Sequence, residues 1–252
     1  LISLKEIKKK ISSKTKIILP VNLYGGIVNV KEIRNIIRKK KIFIIEDSAQ
    51  AHGGKDNFGN NIGKYSDFSC YSFYPGKNLG CYGDGGIITT NNKKFYTKIT
   101  KMRNLGSKIK HVHDEIGINS RLDTIQATLL NLKLKKLNKL NNKRKKIANF
   151  YNKNINNDKI TIIKYGPNAV YHQFVILIKN RKDLINHLKK NFIQYGIHYP
   201  VTINNLGCFK KLFKGKKFIN SEYIASHCLS LPIDPNLSLI DQKKICNVLN
   251  KY

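Results

Sequence analysis

One lysine, Lys77, stands at a position in this 252-residue sequence where its amine could do chemistry. It follows a Pro-Gly pair directly after an apolar run, and four glycines come within the next nine residues. Glycines permit positive φ and close approach of the backbone to a neighbour or a ligand, which indicates a loop built around the lysine. A lysine in such a loop can be a solvated turn residue, a phosphate ligand, or a nucleophile that forms an imine.

Other polar residues at predicted strand ends favour the third possibility. Asp47 and Gln50 follow one apolar run, and Ser72 ends another just before the lysine loop. In an open α/β sheet, ligands bind outside the carboxyl ends of the strands, so these side chains could face one crevice. The set suits pyridoxal 5′-phosphate (PLP): Lys77 forms an imine with the aldehyde, and Asp47 pairs with the pyridinium nitrogen so that the ring withdraws electrons. The Ser72 hydroxyl and backbone N–H groups can hold the phosphate.

Each of these residues also has a structural interpretation. An aspartate after a strand is often only a helix cap, and Lys77 in a Pro-Gly-Lys-Asn sequence could be an ordinary turn residue. A phosphate site of another kind remains possible on these residues alone. Neither of the glycine-rich signatures G-x-x-x-x-G-K-[ST] and G-x-G-x-x-G occurs, which disfavours the usual nucleotide-binding loops.

The elements that must position these residues form a β–α–β pattern. Apolar runs at 16–24 and 42–45 flank a predicted helix over 30–40, which indicates parallel strands joined by a right-handed crossover. Further strands are predicted at 68–73 and 87–90. A long helix is predicted to begin near Ser120, and the apolar seam of this helix comprises Leu122, Ile125, Leu129, Leu132, Leu134, Leu137 and Leu140.

The sequence after residue 151 changes character. A loop-like stretch is followed by a predicted strand over 171–178, a helix over 182–192 and a C-terminal helix after Ser238. The fold class is therefore α/β, with a large domain (residues 1–155) built on a mostly parallel sheet and a smaller α+β domain (residues 156–252).

The charge is extreme, because 47 Lys and Arg minus 15 Asp and Glu leaves +32. The basic residues are dispersed over the polar faces of all predicted helices, and no nucleic-acid-binding motif accompanies them. A basic nucleic-acid binder is thus the weaker alternative, and no specific nucleic-acid partner is predicted. No apolar run is long enough to span a membrane, so no membrane partner is predicted either.

Cysteine and histidine usage excludes other classes of site. The five cysteines include no C-x-x-C pair, which predicts a reducing, cytoplasmic location and neither a disulfide framework nor a zinc site. His111 and His113 have no third ligand at useful spacing, so no metal is expected.

Five ordered motifs resemble those of the DegT/StrS family of PLP-dependent nucleotide-sugar aminotransferases. They are residues 46–53, 72–80, 83–86, 103–107 and 119–123, and the stretches 171–172, 196–200 and 229–232 continue the match. The resemblance covers nearly the whole chain. It implies a fold-type-I (aspartate aminotransferase type) PLP-dependent transferase that forms a homodimer with shared active sites.

The resemblance also implies roles for individual residues. Lys77 would bond to the cofactor and act as the catalytic proton shuttle, and Asp47 would pair with the pyridine nitrogen. Gln50 would lie near the ring hydroxyl, and Ser72 would hold the phosphate. Two further roles follow from motif position alone: Asn119 would reach the phosphate from the partner subunit, and the pair His198 and Tyr199 would belong to the substrate side.

The reaction implied is transfer of an amino group, with glutamate as the expected donor, to a keto-deoxysugar nucleotide in amino-sugar or surface-polysaccharide biosynthesis. Family dehydratases carry histidine where this chain has Lys77, so transamination is favoured. The motif sequences Pro-Gly-Lys-Asn-Leu-Gly and Tyr-Gly-Asp-Gly-Gly favour 3-keto over 4-keto sugars.

Family members carry roughly a further hundred residues before the point where this chain begins. Those residues supply a Gly-Thr turn and an aromatic ring to the cofactor site. The alternative is therefore a PLP-binding regulator or an inactive, truncated remnant.

Overall fold

The computed structural model describes residues 1–252, which form two compact units. The first unit comprises residues Leu1–Asn141 and Tyr165–His172, and the second comprises Asn142–Lys164 and Gln173–Tyr252. The predicted division into a large domain (residues 1–155) and a small domain (residues 156–252) stays a prediction.

The first unit is built on a four-stranded sheet in the order β1-β2-β3-β4. Its strands are β1 (Ile17–Ile18), β2 (Phe43–Asp47), β3 (Phe68–Ser72) and β4 (Gly86–Thr89). The first three strands are parallel, and β4 pairs antiparallel with β3. The prediction of an α/β fold with a mostly parallel sheet is confirmed.

Strand β1 is much shorter than the apolar run at 16–24 suggested. Pro20 has no N–H to donate to a ladder, although its carbonyl still accepts a bond of 2.9 Å from the Asp47 N–H. The Asn22 N–H in turn donates to the Asp47 carbonyl at 2.9 Å. The chain then enters a 3₁₀ turn, Leu23–Gly25, in which Tyr24 has φ of 59°. Hydrogen bonding to β2 therefore continues as far as Asp47, the last residue of β2, although the regular strand β1 has already ended.

Helices and one hairpin complete the first unit. They are α1 (Leu4–Lys10), α2 (Val30–Ile36), α3 (Lys93–Met102), the hairpin of β5 (Ser107–Ile109) and β6 (Val112–His113), and the start of α4 (Thr124–Asn154). The Asn29 side chain caps α2 by accepting a bond from the Glu32 N–H at 3.2 Å. The buried Ile33 and Ile37 of the α2 region pack with Ile18 and Ile44 of the sheet. The hairpin was not predicted.

The buried face of α4 differs from the predicted seam. Ile125, Leu132 and Leu134 are 75%, 57% and 52% exposed, whereas Leu130 and Leu137 are buried. The predicted seam therefore lies in the core only in part, and a subunit contact at its exposed residues stays a prediction. The seam prediction followed apolar residue type alone, whereas the buried side of the helix also carries polar residues that bond to neighbouring loops.

The second unit contains a three-stranded antiparallel sheet in the order β7-β8-β9. Its strands are β7 (Ile160–Ile162), β8 (Phe174–Ile178) and β9 (Cys228–Leu231), and its further helices are α5 (Arg181–Lys190), α6 (Gly207–Lys210), α7 (Ile219–His227) and α8 (Leu239–Asn250). Ser238 caps α8 by accepting a bond from the Asp241 N–H at 3.1 Å. The strands β7 and β9 and the helix α7 were not predicted. Among all helices of the chain, none is both long and apolar enough to cross a bilayer.

Candidate active site

The polar residues predicted to share a crevice lie at the carboxyl ends of two neighbouring strands. Asp47 ends β2 opposite Cys70, and Ser72 ends β3 two residues further on. The Asp47 carboxylate is half-buried, and its Oδ1 accepts a bond from the Ala49 N–H at 3.0 Å. This bond sets the turn after β2 and holds the carboxylate at the strand end.

Lys77 lies in the loop that leaves β3. Its backbone N–H donates to the Tyr74 carbonyl at 2.9 Å, which closes a tight turn around the Pro-Gly pair. The side chain is half-buried, and burial lowers the pKa of its amine, while the negative charge of Asp47 acts in the opposite direction. Asp47 and Lys77 are therefore close enough to interact electrostatically. A lysine amine with a lowered pKa has a larger neutral fraction and is more readily a nucleophile.

The loop folds back tightly on the end of β3. The Cys81 N–H donates to the Phe73 carbonyl at 2.8 Å, and the Phe73 N–H donates to the Gly85 carbonyl at 2.7 Å. A Cβ at Gly80 would lie 2.4 Å from the Pro75 oxygen and 2.7 Å from that of Tyr74, so only glycine fits there. The glycine cluster thus serves to hold the lysine in a compact loop.

The other two predicted cofactor-binding residues of these segments are also held in place. Gln50 is 8% exposed, and its Oε1 accepts a bond from the Tyr24 N–H. The Ser72 Oγ accepts a bond from the Tyr74 N–H at 3.2 Å, and the side chain is half-buried. Both lie on the segments that carry Asp47 and Lys77.

The remaining predicted residues lie elsewhere. Asn119 is exposed in the segment between β6 and α4, where its backbone forms a bridge with Asn104. His198 and Tyr199 belong to the second unit. The half-buried His198 contacts Ser230 through Nδ1 and Oγ, 2.8 Å apart, while Tyr199 is 50% exposed. The roles of all the predicted site residues stay predictions.

The sequence predicts no role for His52, yet this residue lies close to the site. The residue is 3% exposed, and neither ring nitrogen has a hydrogen-bond partner of regular geometry, although the Ser72 backbone interacts with the ring. Its ring centroid lies 5.4 Å from that of Tyr71 and 5.9 Å from that of Phe73. Burial first, and then the positive charge of Lys77, lower the pKa of His52 to about 4, against a smaller opposing effect of the Ser72 backbone. The imidazole is therefore neutral near pH 7.

A second feature missed from the sequence is a row of polar side chains on α4 that bond to the lysine loop. Gln126 bonds to both the N–H and the carbonyl of Tyr82, at 2.8 and 3.0 Å. The Lys133 ammonium donates to the Gly80 carbonyl at 2.6 Å. Asn141, which is 4% exposed, accepts a bond from the Asn78 side chain at 2.9 Å. The sequence signal was an asparagine four residues after the buried Leu137, on the same side of the helix.

The polar groups at the two strand ends are an amine, a carboxylate and a hydroxyl. No group of three or more His, Cys, Asp or Glu side chains could hold a metal ion in this structure. A partly desolvated amine, a nearby carboxylate and a hydroxyl at adjoining strand ends can instead bond an aldehyde covalently, pair with a protonated ring nitrogen and hold a phosphate.

Comparison with known proteins identifies relatives over the whole chain. Residues 1–250 match the sequence model of the DegT/DnrJ/EryC1/StrS aminotransferase family. Among curated proteins, the chain is 38% identical over 249 residues to a dTDP-3-amino-3,6-dideoxy-alpha-D-galactopyranose transaminase of Aneurinibacillus thermoaerophilus, covering 98% of this chain and 68% of the relative.

Solved structures of similar fold agree with this match. DesV of S. venezuelae, solved in complex with a ketimine intermediate, superposes with a TM-score of 0.94 at 32% identity, covering 99% of this chain and 68% of that one. NtdA of Bacillus subtilis, solved with bound cofactor PMP, superposes with a TM-score of 0.89 at 29% identity, covering 98% of this chain and 59% of that one. The chain spans 64 to 69% of the length of the curated relatives that it matches.

Proposed function

Because the chain belongs to the DegT/DnrJ/EryC1/StrS aminotransferase family, we propose that it is a PLP-dependent nucleotide-sugar aminotransferase. The observation that carries this proposal is the placement of Asp47 and the Lys77 loop at the carboxyl ends of the neighbouring strands β2 and β3, near enough for the carboxylate to raise the pKa of the lysine against the effect of burial. The neighbour NtdA, solved with bound PMP, supports the choice of cofactor.

The residues present fit the cofactor. Asp47 would pair with the pyridine nitrogen, Gln50 would lie near the ring hydroxyl, and Ser72 would hold the phosphate. Lys77 would bond covalently to the aldehyde. The buried imidazole of His52, beside the rings of Tyr71 and Phe73, supports the presence of a polar ligand at this edge of the sheet.

When bound, the cofactor supplies an electron sink that stabilises negative charge on the carbon attached to the migrating amine. The chain's own contribution is the movement of protons. The Lys77 amine, with its lowered pKa, can take a proton from that carbon and return it to the cofactor side. Asp47 would keep the ring nitrogen protonated, because a carboxylate beside a cation favours the charged form of both groups.

The proposed substrates are glutamate as the amino donor and a keto-deoxysugar nucleotide as the acceptor, with a 3-keto sugar favoured over a 4-keto sugar. The name of the Aneurinibacillus relative, a transaminase of a dTDP-3-amino sugar, supports the 3-keto preference. His198 and Tyr199 of the second unit would contact the substrate. The product would enter surface-polysaccharide or other amino-sugar biosynthesis. The transaminase relatives do not favour a regulator or an inactive remnant.

We also propose a homodimer with shared active sites, to which Asn119 of one subunit contributes at the phosphate of the other. Large apolar side chains flank Asn119 and are unusually exposed in the single chain: Ile109 at 66%, Ile116 at 97%, Ile118 at 66% and Ile125 at 75%. Large apolar side chains that are this exposed in a single chain are typical of residues covered by a protein–protein contact.

Reductive trapping tests the cofactor assignment. The purified protein is incubated with PLP, treated with borohydride and digested, and the modified peptide is identified by mass spectrometry. The adduct is expected on Lys77, and it should disappear in Lys77→Ala but persist in Lys94→Ala, which removes an exposed lysine of α3. An adduct distributed over surface lysines, and unchanged in Lys77→Ala, would contradict the proposal.

Substrate assignment needs a separate experiment. The PLP-loaded protein is first incubated with glutamate alone, and 2-oxoglutarate is expected in an amount equal to the active sites. Matched pairs of 3-keto and 4-keto nucleotide sugars are then offered, and amine incorporation is followed by mass spectrometry. Preferential turnover of the 4-keto member would refute the predicted position. Failure with every sugar, despite normal trapping on Lys77, would return the choice to a PLP-binding regulator.

A further inference from the structure

The side-chain amide of Asn141 joins the two segments that carry the proposed catalytic residues. Its Oδ1 accepts a bond from the Asn78 Nδ2 at 2.9 Å, and its Nδ2 donates to the His52 carbonyl at 2.8 Å. Asn78 directly follows Lys77 in the chain, and His52 lies on the segment that leaves β2 after Asp47. One buried amide on α4 thus bonds at the same time to the lysine loop and to the aspartate segment.

The partner of Asn141 in the lysine loop has no freedom to rotate. The Asn78 Nδ2 donates to the Val170 carbonyl at 3.1 Å as well as to Asn141, and its Oδ1 lies 3.2 Å from the His172 Nδ1. Asn78 is 8% exposed, so bulk water cannot replace a lost partner. A change at Asn141 would therefore disturb the residue next to Lys77 directly.

Close packing also restricts the second bond of Asn141, the one to the His52 carbonyl. A Cβ at Gly53 would lie 3.1 Å from both the Asn141 Nδ2 and the Leu137 Cδ2, and the φ of Gly53 is +72°. The helix therefore approaches the backbone after His52 as closely as a glycine allows. His52 is buried there, so its carbonyl would be left unsatisfied in a dry environment if the bond from Asn141 were lost.

The two bonds of Asn141 lie at the end of a longer contact between α4 and the lysine loop. Gln126, Lys133 and Asn141 are spaced seven and eight residues apart, so they lie on one side of the helix. Their partners in the loop are Tyr82, Gly80 and Asn78, in the opposite order along the chain. Only Asn141 of the three also reaches the segment after β2.

We propose that Asn141 is a positioning residue for Lys77, which fixes the lysine loop relative to the Asp47 segment through its bonds to Asn78 and the His52 carbonyl. The inference rests on the proposed function for its catalytic consequence. Its structural part, the placement of the Lys77 amine, holds independently of any cofactor.

The first measurement uses the cofactor-free protein. The amines are labelled competitively with an acylating reagent over a range of pH, and the extent of labelling at Lys77 is read by peptide mass spectrometry. Asn141→Leu, which keeps the branched shape of the side chain but removes both bonds, is expected to move the pH midpoint of Lys77 labelling away from that of the native protein. Asn141→Asp, which keeps the acceptor for Asn78 but loses the donor to His52, is expected to give a smaller displacement.

The matched control is Asn204→Leu in the second unit. Asn204 is 8% exposed, like Asn78, and its Nδ2 donates to the Glu222 Oε1 at 3.0 Å. This variant also loses a buried amide bond, but it is expected to leave the Lys77 midpoint unchanged. An unaltered midpoint in folded Asn141→Leu and Asn141→Asp, or an equal displacement in Asn204→Leu, would overturn the proposal. Should Asn141→Leu fail to fold, Asn141→Asp decides the question.

The second measurement uses the PLP-loaded enzyme. Asn141→Leu is expected to lower kcat by roughly tenfold to a hundredfold with little change in KM for the sugar, because a small displacement of the reacting amine costs rate and not substrate binding. A rise in KM with unchanged kcat would overturn the positioning role. If wild-type Lys77 forms no bond with PLP, the proposed function fails, whereas the labelling result in the cofactor-free protein still tests the placement of Lys77.

Discussion

The Asp47 carboxylate and the Lys77 amine interact electrostatically across the carboxyl ends of β2 and β3, although 29 residues separate them in the sequence. Burial lowers the pKa of the lysine, and the aspartate limits that lowering. The pair therefore leaves the amine able to act both as a nucleophile and as a proton carrier.

This pairing predicts the behaviour of Asp47→Asn. Without the carboxylate, desolvation acts on Lys77 unopposed, and its pKa should fall further below the ordinary lysine value. Competitive amine labelling of the cofactor-free protein measures this change. In the PLP-loaded enzyme the same variant should lose about a hundredfold or more in kcat, since no charge keeps the ring nitrogen protonated.

Asp84→Asn is the control for this prediction, because it removes an exposed carboxylate from the same glycine loop. Its Lys77 labelling should match that of the native protein. If both variants displace the labelling equally, the effect comes from general loss of negative charge and not from the Asp47–Lys77 pair.

A shared active site predicts complementation between subunits. Lys77→Ala and Asn119→Asp should each be inactive or nearly so, the first for want of the amine and the second because a carboxylate repels the phosphate. When the two are reassociated at random, half of the dimers are mixed, and each mixed dimer has one intact site. Activity should therefore recover to about a quarter of the native value.

The control for complementation is a mixture of Lys77→Ala with Asp47→Ala. Both residues come from one subunit, so every site of a mixed dimer carries a defect and no recovery is expected. A Lys77→Ala and Asn119→Asp mixture that is no more active than its parents would contradict the placement of Asn119 at the partner's site.

The buried imidazole of His52 predicts a pH dependence of stability. Its folded-state pKa is about 4, whereas an unfolded histidine has a pKa near 6.5. Between these values the unfolded state binds a proton that the folded state does not, so stability falls as pH falls. The contribution is about 1.4 kcal/mol per pH unit within that window. Urea unfolding of the native protein and of His52→Phe over this range isolates it, since the variant lacks this term.

His113→Phe serves as the comparison, because His113 is exposed on β6. The loss of pH dependence should be larger in His52→Phe than in this variant. A His52→Phe variant that loses stability on acidification as steeply as the native protein would show that His52 is not the titrating group.

The tight turn at Gly80 predicts a strong effect of a single methyl group. Gly80→Ala places a Cβ within 2.4 Å of the Pro75 oxygen, so the loop must shift, at a cost of about 1–3 kcal/mol. Borohydride trapping of PLP on Lys77 should fall in parallel, because the same loop holds the amine. Gly76→Ala, whose Cβ would come no closer than 3.6 Å to the Tyr74 ring, should retain both stability and trapping. Equal losses in the two variants would mean that the loop tolerates no substitution at all.

The sequence by itself determined the parallel β–α–β frame and the place of the lysine loop within it. Both depend on short-range patterns: apolar runs at 42–45 and 68–73, the Asn29 cap, and glycines after Lys77. It also determined family membership, since ordered motifs survive in the linear chain. Because these signals lie within a few residues of one another, no tertiary information was needed to read them.

Only the tertiary structure decided which side of α4 is buried and what its polar residues contact. Asn141 bonds to Asn78 and His52, which lie 63 and 89 residues away, and its position four residues after Leu137 does not reveal these partners. The environment of the buried His52 ring could not be predicted from the local sequence either. A buried polar group is stabilised or left unsatisfied by distant partners, and the spacing of residues along a single helix or strand does not encode those partners.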